Sequence, residues 1–214
     1  IRVGSLVSPT SVHHPAVLAN RAITIDHLSG GRFTLGLGAG WQINEHRAFG
    51  IELAPPKQRV DRFEEAITVL RSMFDFHGTY FDITAAPADP SPIQSPLPIL
   101  VGTGGKRMMR IAARFANVWN TWGNPGAAGH QRSKFVGACE AIDVDPATRS
   151  TSAQALVFLT DDQAGADEVL AGPMASRSIA GPPDALLEQL AAYEEAGFDE
   201  FIIPDWNFGG SRSE

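Results

Sequence analysis

The chain has 214 residues, of which 43% are hydrophobic and 19% charged, proportions that are ordinary for a globular protein. Seventeen basic against 24 acidic residues give a formal net charge of −7, which argues against nucleic acid or an anionic membrane as the main partner. The single cysteine, Cys139, excludes a disulfide framework within the chain and suits a reducing cytoplasm. We find neither an apolar run of membrane-spanning length nor a signal peptide, and therefore expect a cytoplasmic protein.

The first third of the chain alternates short apolar strands with amphipathic helices. Ile1–Val7 predicts a strand, Pro15 opens a helix, Arg32–Gly38 predicts a second strand, and Lys57–Phe76 a long helix. The residues expected on the buried faces of the two helices are Leu18, Ala22, Ile25 and Leu28 in the first, and Val60, Phe63, Ile67, Leu70 and Phe74 in the second.

Residues 77–98 are rich in proline, aspartate and serine and predict an inserted loop, with room for a short edge strand at Thr79–Ile83. The alternation of strands and helices then resumes, which implies a parallel sheet with crossover helices. The further strands expected are Ile99–Gly102, Val118–Thr121, Ala153–Thr160 and Phe198–Pro204. The further helices expected are Lys106–Ala116, Ala127–Ile142, Asp162–Leu170, and one from Gly181 to Gly197.

The segment Leu28–Trp41 reads L-S-G-G-R-F-T-L-G-L-G-A-G-W. Its first two glycines have the conformational freedom to end a helix, and the strand that follows has one bulky face and one nearly bare face. The bare face lets a flat ligand or another backbone come close, so a ligand site and simple close strand packing both remain open. The spacing does not fit a dinucleotide fingerprint, and no P-loop motif is present.

The loop Gly102–Lys106 follows a predicted strand and opens a predicted helix. Free backbone N–H groups at a helix N-terminus bind anions, and glycines let a phosphate approach them. Lys106 and Arg107 place two positive charges where the helix dipole disfavours them, which indicates a bound anion. The alternative is a plain turn with solvated charges.

Four blocks of the sequence resemble the luciferase-like monooxygenase family of (β/α)8 TIM barrels, and in particular its class that uses coenzyme F420, a deazaflavin. The blocks are Leu28–Trp41, Pro98–Lys106, Ala112–Asn120, and Ala180–Asp184 followed by Gly197–Glu200. The resemblance implies a single luciferase-like domain over 1–214, an incomplete TIM barrel of about six parallel strands that lacks the first two βα units and the last helix. A natural open sheet of six parallel strands is the alternative.

The resemblance also implies where a cofactor binds. The expected cofactor contacts are Ser5 and Leu6, which lie behind the ring, Gly38, Gly40 and Trp41, the phosphate loop Gly102, Thr103, Gly104, Gly105 and Lys106, and Asn120. Trp122 and Asp205 are expected on the same rim, and a cis peptide is expected in the segment Gly4–Val7. Glu45 is the candidate catalytic acid, although the position directly after G-A-G is Trp41 rather than an acid. We interpret His13 and His14 as solvated loop residues.

The function implied is hydride transfer between coenzyme F420 and a small organic substrate, by a protein that forms a homodimer. One alternative is a monooxygenase of the same family that uses flavin mononucleotide (FMN); another is a shortened, non-catalytic barrel that only binds flavin or phosphate. The histidines show no metal-binding spacing and no G-x-S-x-G elbow is present, so neither a metal site nor a hydrolase is expected. The coding sequence upstream of Ile1 distinguishes an enzyme from a binding module.

Overall fold

The computed structural model of the protein describes residues 1–72, 75–86 and 89–204. Contacts within the chain group it into two units, residues 1–118 and residues 119–214. The strands of the first unit are β1 (Val3–Gly4), β2 (Ser8–Pro9), β3 (Phe33–Gly38), β4 (Phe76–His77), β5 (Asp82–Ile83) and β6 (Ile99–Gly102). Its helices are α1 (Pro15–Ser29), α2 (Ile43–Ala48), α3 (Pro56–Ser72) and α4 (Lys106–Phe115).

Strand β3 is the centre of the first unit and pairs in parallel with β1, β2 and β6. Its bulky face is buried, as predicted, and its bare face is covered by the Ser5 backbone at Gly36 and by the Val7 side chain at Gly38. A Cβ atom on Gly36 would lie 1.8 Å from the carbonyl oxygen of Ser5. Close strand packing therefore explains the glycine at position 36.

The strand predicted over Ile1–Val7 is shorter than expected. Within it only β1 is a strand; β2 follows directly after Val7, and the Leu6–Val7 peptide between the two strands is cis, as the resemblance implied. The Ser5 hydroxyl donates to the carbonyl oxygen of Gly36 (3.0 Å) and accepts from its N–H (3.1 Å). These two side-chain hydrogen bonds connect the segment to β3 between β1 and β2, in place of the backbone hydrogen bonds of a regular strand pair.

Helix α1 ends as predicted at Gly30, whose φ of +63° is left-handed. Its predicted buried face is wrong at its C-terminal half, because Ile25 is exposed and Leu28 is 82% exposed. A carboxylate takes the buried position instead: Asp26 is fully buried and accepts hydrogen bonds from the backbone N–H and side-chain Nε2 of Gln94 (3.0 and 2.7 Å). This contact connects α1 to the predicted inserted loop.

Helix α3 is described over Pro56–Ser72, and Phe76, its predicted last residue, lies in β4 instead; Phe74 lies outside the described residues. Within the predicted loop 77–98, of which 87–88 are also outside them, β5 pairs antiparallel with β4. Phe81 and Ile83 of this hairpin are buried against α3. The insertion therefore contains a small docked hairpin.

The Glu65 side chain of α3 holds the hairpin against this helix through hydrogen bonds. Its carboxylate oxygens accept hydrogen bonds from the backbone N–H groups of Thr79 (2.9 Å), Tyr80 (2.8 Å) and Phe81 (3.3 Å). Hydrogen bonds to a charged acceptor are the stronger kind, so this one side chain contributes substantially to docking.

We expect Glu65→Ala to leave those N–H groups without an acceptor and to weaken hairpin docking by about 1–3 kcal/mol. Hydrogen–deuterium exchange over residues 75–86 should accelerate, while exchange in β3 should not change. The control is Glu188→Ala, which removes an exposed carboxylate from the other unit. Unchanged exchange in the hairpin of the Glu65 variant would contradict the assignment.

The second unit begins at Trp119, the second residue of strand β7 (Val118–Trp122). Its other strands are β8 (Ser150–Gln154), β9 (Leu156–Leu159), β10 (Ser178–Gly181) and β11 (Glu200–Ile202). Its α-helices are α5 (Pro125–Glu140), α6 (Gln163–Leu170) and α7 (Pro183–Glu195). Strand β8 pairs in parallel with β11, and β9 with β10.

Two strand predictions in this unit differ from the structure. The single strand expected over Ala153–Thr160 is two strands, β8 and β9, which have different partners. Strand β10 was missed, because its four residues run directly into the Gly-Pro-Pro start of α7.

The core of the second unit is aromatic. Trp119 is fully buried and stacks on Phe135 of α5 with ring centroids 4.7 Å apart. Tyr193 of α7 is also buried and donates its hydroxyl hydrogen to the carbonyl oxygen of Gly123 (2.7 Å). Burial raises the pKa of the Tyr193 hydroxyl, so the group remains a donor at neutral pH.

Candidate functional site

The predicted phosphate loop is built as the sequence indicated. Strand β6 ends at Gly102, Gly105 caps α4, and the Thr103 hydroxyl accepts a hydrogen bond from the Gly105 N–H (3.2 Å). The first hydrogen bond that closes α4 runs from Met109 N to Gly105 O, so the N–H groups of residues 106–108 have no partner within the helix. A Cβ atom added to Gly105 would meet nothing within 4 Å. The loop therefore has both the donors and the space that a phosphate group needs.

The two predicted cations differ in their ion pairs. Arg107 binds two carboxylates of α3: its Nη1 contacts Asp61 and its Nη2 donates to Glu64 (2.7 Å). The hydrogen bond from Arg107 lowers the pKa of the Asp61 carboxyl, and the hydrogen bond from Lys57 adds to the effect. Within the described ranges the structure gives no ion pair to Lys106, which is exposed.

Other predicted contacts of this unit lie around the C-terminal end of β3. Ser5 is turned onto β3, and Gly38 is buried against Val7. Leu6 is exposed, and Trp41 is 76% exposed beyond the strand end. Each of these two side chains therefore exposes apolar surface.

The loop that carries Gly40 is held by polar contacts. Arg59 donates to the Gly40 carbonyl oxygen (2.6 Å), and the His46 ring, 3% exposed, lies between Gln42 and Ser11. Because the Gln42 carbonyl only accepts, His46 Nδ1 carries the hydrogen of that contact (2.8 Å), and Nε2 shares a hydrogen bond with the Ser11 hydroxyl (2.8 Å). Sequence reasoning missed His46, because its partner Ser11 lies 35 residues earlier and no local motif marks the pair.

Glu45, the candidate acid, is exposed on the short helix α2. His13 is half-buried rather than solvated, and burial, with a smaller effect of Arg21, lowers the pKa of its imidazole. His14 packs edge-on against the Phe81 ring. Over the described residues no group of three or more metal-ligating side chains is present, and no helix is long and apolar enough to cross a bilayer.

In the second unit, Asn120 is 2% exposed, and both the nitrogen and the oxygen of its side-chain amide make hydrogen bonds. Its Nδ2 donates to the Ser152 hydroxyl (2.9 Å), and its Oδ1 accepts from Gln154 Nε2 (3.2 Å). Trp122, two residues further along β7, is half-buried, and Asp205 lies outside the described residues. Sequence reasoning found Asn120 but neither of its partners, which have no local motif.

Comparison with known proteins gives a family match. The model of the luciferase-like monooxygenase family matches residues 1–180. The F420-dependent glucose-6-phosphate dehydrogenase of Amycolatopsis mediterranei is 32% identical over 120 residues, which make up 53% of this chain and 36% of that protein. The chain therefore spans about a third of the length of this curated relative.

Solved structures with the same fold bind either cofactor class. An F420-dependent secondary alcohol dehydrogenase, solved with an F420–acetone adduct, matches with a TM-score of 0.81 at 18% identity, over 95% of this chain and 73% of the other. The oxygenating constituent of 3,6-diketocamphane monooxygenase of Pseudomonas putida, solved with FMN, matches with a TM-score of 0.70 at 18% identity, over 95% and 72%. These likenesses confirm the predicted fold class, an α/β fold of the luciferase-like TIM-barrel type.

Proposed function

Because this chain belongs to the luciferase-like monooxygenase family, we propose that its protein is an oxidoreductase that transfers a hydride between coenzyme F420 and a small organic substrate. The observation that carries the proposal is the loop Gly102–Lys106, which combines free helix N-terminal N–H groups, space at Gly105 and an exposed lysine. The similarity to an F420-dependent dehydrogenase supports the choice of cofactor.

The bound deazaflavin supplies the hydride chemistry, and the protein holds and orients it. In this proposal Thr103, Gly104, Gly105 and Lys106 hold the phosphate. The proposed ring contacts are Ser5, Leu6, Gly38, Gly40 and Trp41 in the first unit, and Asn120 in the second. Glu45 is the candidate proton donor, because it is an exposed carboxylate four residues after Trp41.

An FMN-dependent monooxygenase is the second candidate. FMN also carries a phosphate, so the loop accepts either cofactor, and the FMN complex of the diketocamphane monooxygenase shows that this fold holds FMN. The difference in reaction is large, since reduced flavin reacts with oxygen and reduced deazaflavin exchanges hydride.

Fluorescence titration of the purified full-length protein with coenzyme F420 and with FMN tests the proposal. We expect tighter binding of F420. Preference for FMN would support the monooxygenase, and binding of neither cofactor would remove the proposed function. Binding without turnover of any alcohol, aldehyde or ketone in a broad panel would favour a non-catalytic binding module.

Lys106→Ala should weaken F420 binding by about 1–3 kcal/mol, because the phosphate loses its charged hydrogen-bond partner. The dissociation constant from the same titration measures the effect. Lys134→Ala, which removes an exposed lysine from α5, is the matched control and should bind F420 like the wild type. Equal affinity of the two variants would exclude Lys106 as a phosphate contact.

We also propose that the protein works in the cytoplasm as a homodimer. The single cysteine, Cys139, is buried and suits a reducing compartment, and Ile43 and Phe49 expose apolar surface on one short segment. Size-exclusion chromatography with light scattering measures the mass in solution, and a monomer would contradict the dimer.

A further inference from the structure

The first unit has a cavity beside the C-terminal ends of strands β2 and β3. Its volume is about 250 Å³, part of which is open to solvent. No residue of the loop Gly102–Lys106 lines it, so the cavity is separate from the proposed phosphate loop. The lining includes Thr10 and Ser11, which follow β2, Ala39, which follows β3, the exposed Glu52, and Arg59 and Arg62 of α3, all within the first unit.

The two arginines are the hydrogen-bond donors that this cavity offers. Arg59 and Arg62 lie three residues apart on α3, a spacing that puts their side chains on one face of the helix. The Nε atom of each is buried and has no hydrogen-bond partner among the described residues. A buried donor without an acceptor is destabilising, so these two atoms indicate an acceptor from outside the chain.

Both arginines also lack an ion pair. In the described ranges no carboxylate lies within ion-pair distance of Arg59 or Arg62. The carboxylates beside them along α3, Asp61 and Glu64, are bound by Arg107. Two cationic side chains therefore line one cavity without an anionic partner in contact.

Other contacts hold the two guanidinium groups in place. Arg59 Nη1 donates to the Gly40 carbonyl oxygen (2.6 Å), and the Arg62 guanidinium lies over the Phe81 ring, 5.2 Å from its centroid. Neither contact neutralises a charge. Because both groups are already ordered, little side-chain entropy is lost when an anion binds to them.

We propose that Arg59 and Arg62 bind the carboxylate group of a small organic acid in this cavity. The planar fork of a guanidinium matches the two oxygens of a carboxylate. A water molecule would satisfy the buried Nε atoms but would leave both positive charges unpaired. With Glu52 the lining carries one net positive charge, which suits a singly charged carboxylate better than a doubly charged phosphate.

Binding of ¹³C-labelled acetate to the purified full-length protein, followed by NMR line broadening at constant ionic strength, tests the proposal. Arg62→Met keeps an unbranched side chain and removes the charge and the donors. We expect it to weaken acetate binding roughly tenfold, as for the loss of a charged hydrogen-bond partner. Inorganic phosphate should displace acetate only at higher concentrations than unlabelled acetate does.

The matched control is Arg114→Met, outside the cavity. Arg114 of α4 is exposed and lies over the Phe115 ring, 4.9 Å from its centroid. The variant therefore loses the same charge and the same kind of ring contact as Arg62→Met, and it should bind acetate like the wild type. If Arg62→Met does not fold, Arg62→Lys replaces it; we expect weaker binding here too, because lysine keeps the charge but lacks the fork.

Glu52→Gln separates an external carboxylate from a partner within the cavity. We expect this variant to bind acetate more tightly, because it removes a negative charge from the lining. A lower unfolding temperature of Glu52→Gln without tighter acetate binding would mean that Glu52 itself pairs with the arginines, and the inference would be wrong.

Equal acetate affinity in Arg62→Met and Arg114→Met would also overturn the inference, and so would tighter binding of phosphate than of acetate. These measurements need no cofactor, so they stand whether or not the protein binds F420. Steady-state kinetics then identifies the source of the carboxylate. A KM that Arg62→Met raises only for substrates with a carboxylate assigns the group to the substrate, and an unchanged KM assigns it to a separate ligand.

Discussion

Gly36→Ala is expected to destabilise the protein by about 3 kcal/mol or more, because overpacking against backbone has no side-chain rotamer to relieve it. The added Cβ would lie 1.8 Å from the carbonyl oxygen of Ser5, far inside contact distance. Strand β3 and the Ser5 backbone must then separate, which breaks the Ser5 hydroxyl contacts with Gly36. Guanidinium unfolding followed by far-UV circular dichroism measures the change.

Gly137→Ala is the matched control for Gly36→Ala. Gly137 lies inside α5, and a Cβ there would meet nothing within 4 Å. Alanine in a helix interior is favoured over glycine by about 0.5–1 kcal/mol, so this variant should be as stable as the wild type or more stable. If Gly36→Ala costs no more than Gly137→Ala, the close approach of Ser5 to β3 is wrong.

Trp119→Ala is expected to cost about 3–5 kcal/mol of unfolding free energy, the usual range for truncating a large buried aromatic side chain. The indole is fully buried and stacks nearly parallel on Phe135, at an interplanar angle of 5°. Alanine removes both the buried area and the stacked pair. Urea unfolding, monitored at the amide band because tryptophan is the residue removed, gives the free energy.

Trp41→Ala tests the same substitution at an exposed site. Trp41 is 76% exposed, so its loss should change the unfolding free energy by less than about 0.5 kcal/mol. A large cost at Trp41 would show that this side chain is covered in the protein as it exists in solution. A small cost at Trp119 would contradict the aromatic core of the second unit.

The features predicted well from sequence were those with a local cause. Gly30 ends α1, the alternation after Phe33 marks β3, and Gly102–Lys106 joins a strand to a helix, all of which follow from backbone preferences within a few residues. The fold class followed from the order of such elements together with the family resemblance.

The predictions that failed depended on partners distant in the chain. Arg107 pairs with carboxylates 43 and 46 residues earlier, and the pattern of apolar residues in the two helices does not indicate these partners. Asp26 is buried with its hydrogen-bond donors supplied by Gln94, 68 residues later. The apolar pattern of α1 therefore put Ile25 and Leu28 on the buried face, where the structure has Asp26. Ser152 and Gln154 carry no motif, and only their hydrogen bonds to Asn120 reveal them as its partners.

The pairing of Arg107 with two carboxylates has a consequence for the rate at which an anionic ligand is captured. Arg107 and Lys57 carry two positive charges and their partners Asp61 and Glu64 two negative ones, so this group is close to neutral beyond the Debye length, about 10 Å at 0.1 M salt. Of the two predicted cations, only Lys106 then attracts an anion at long range. One lysine gives little electrostatic steering. The association rate constant should therefore depend only weakly on ionic strength, and a tight complex would owe its affinity to slow dissociation.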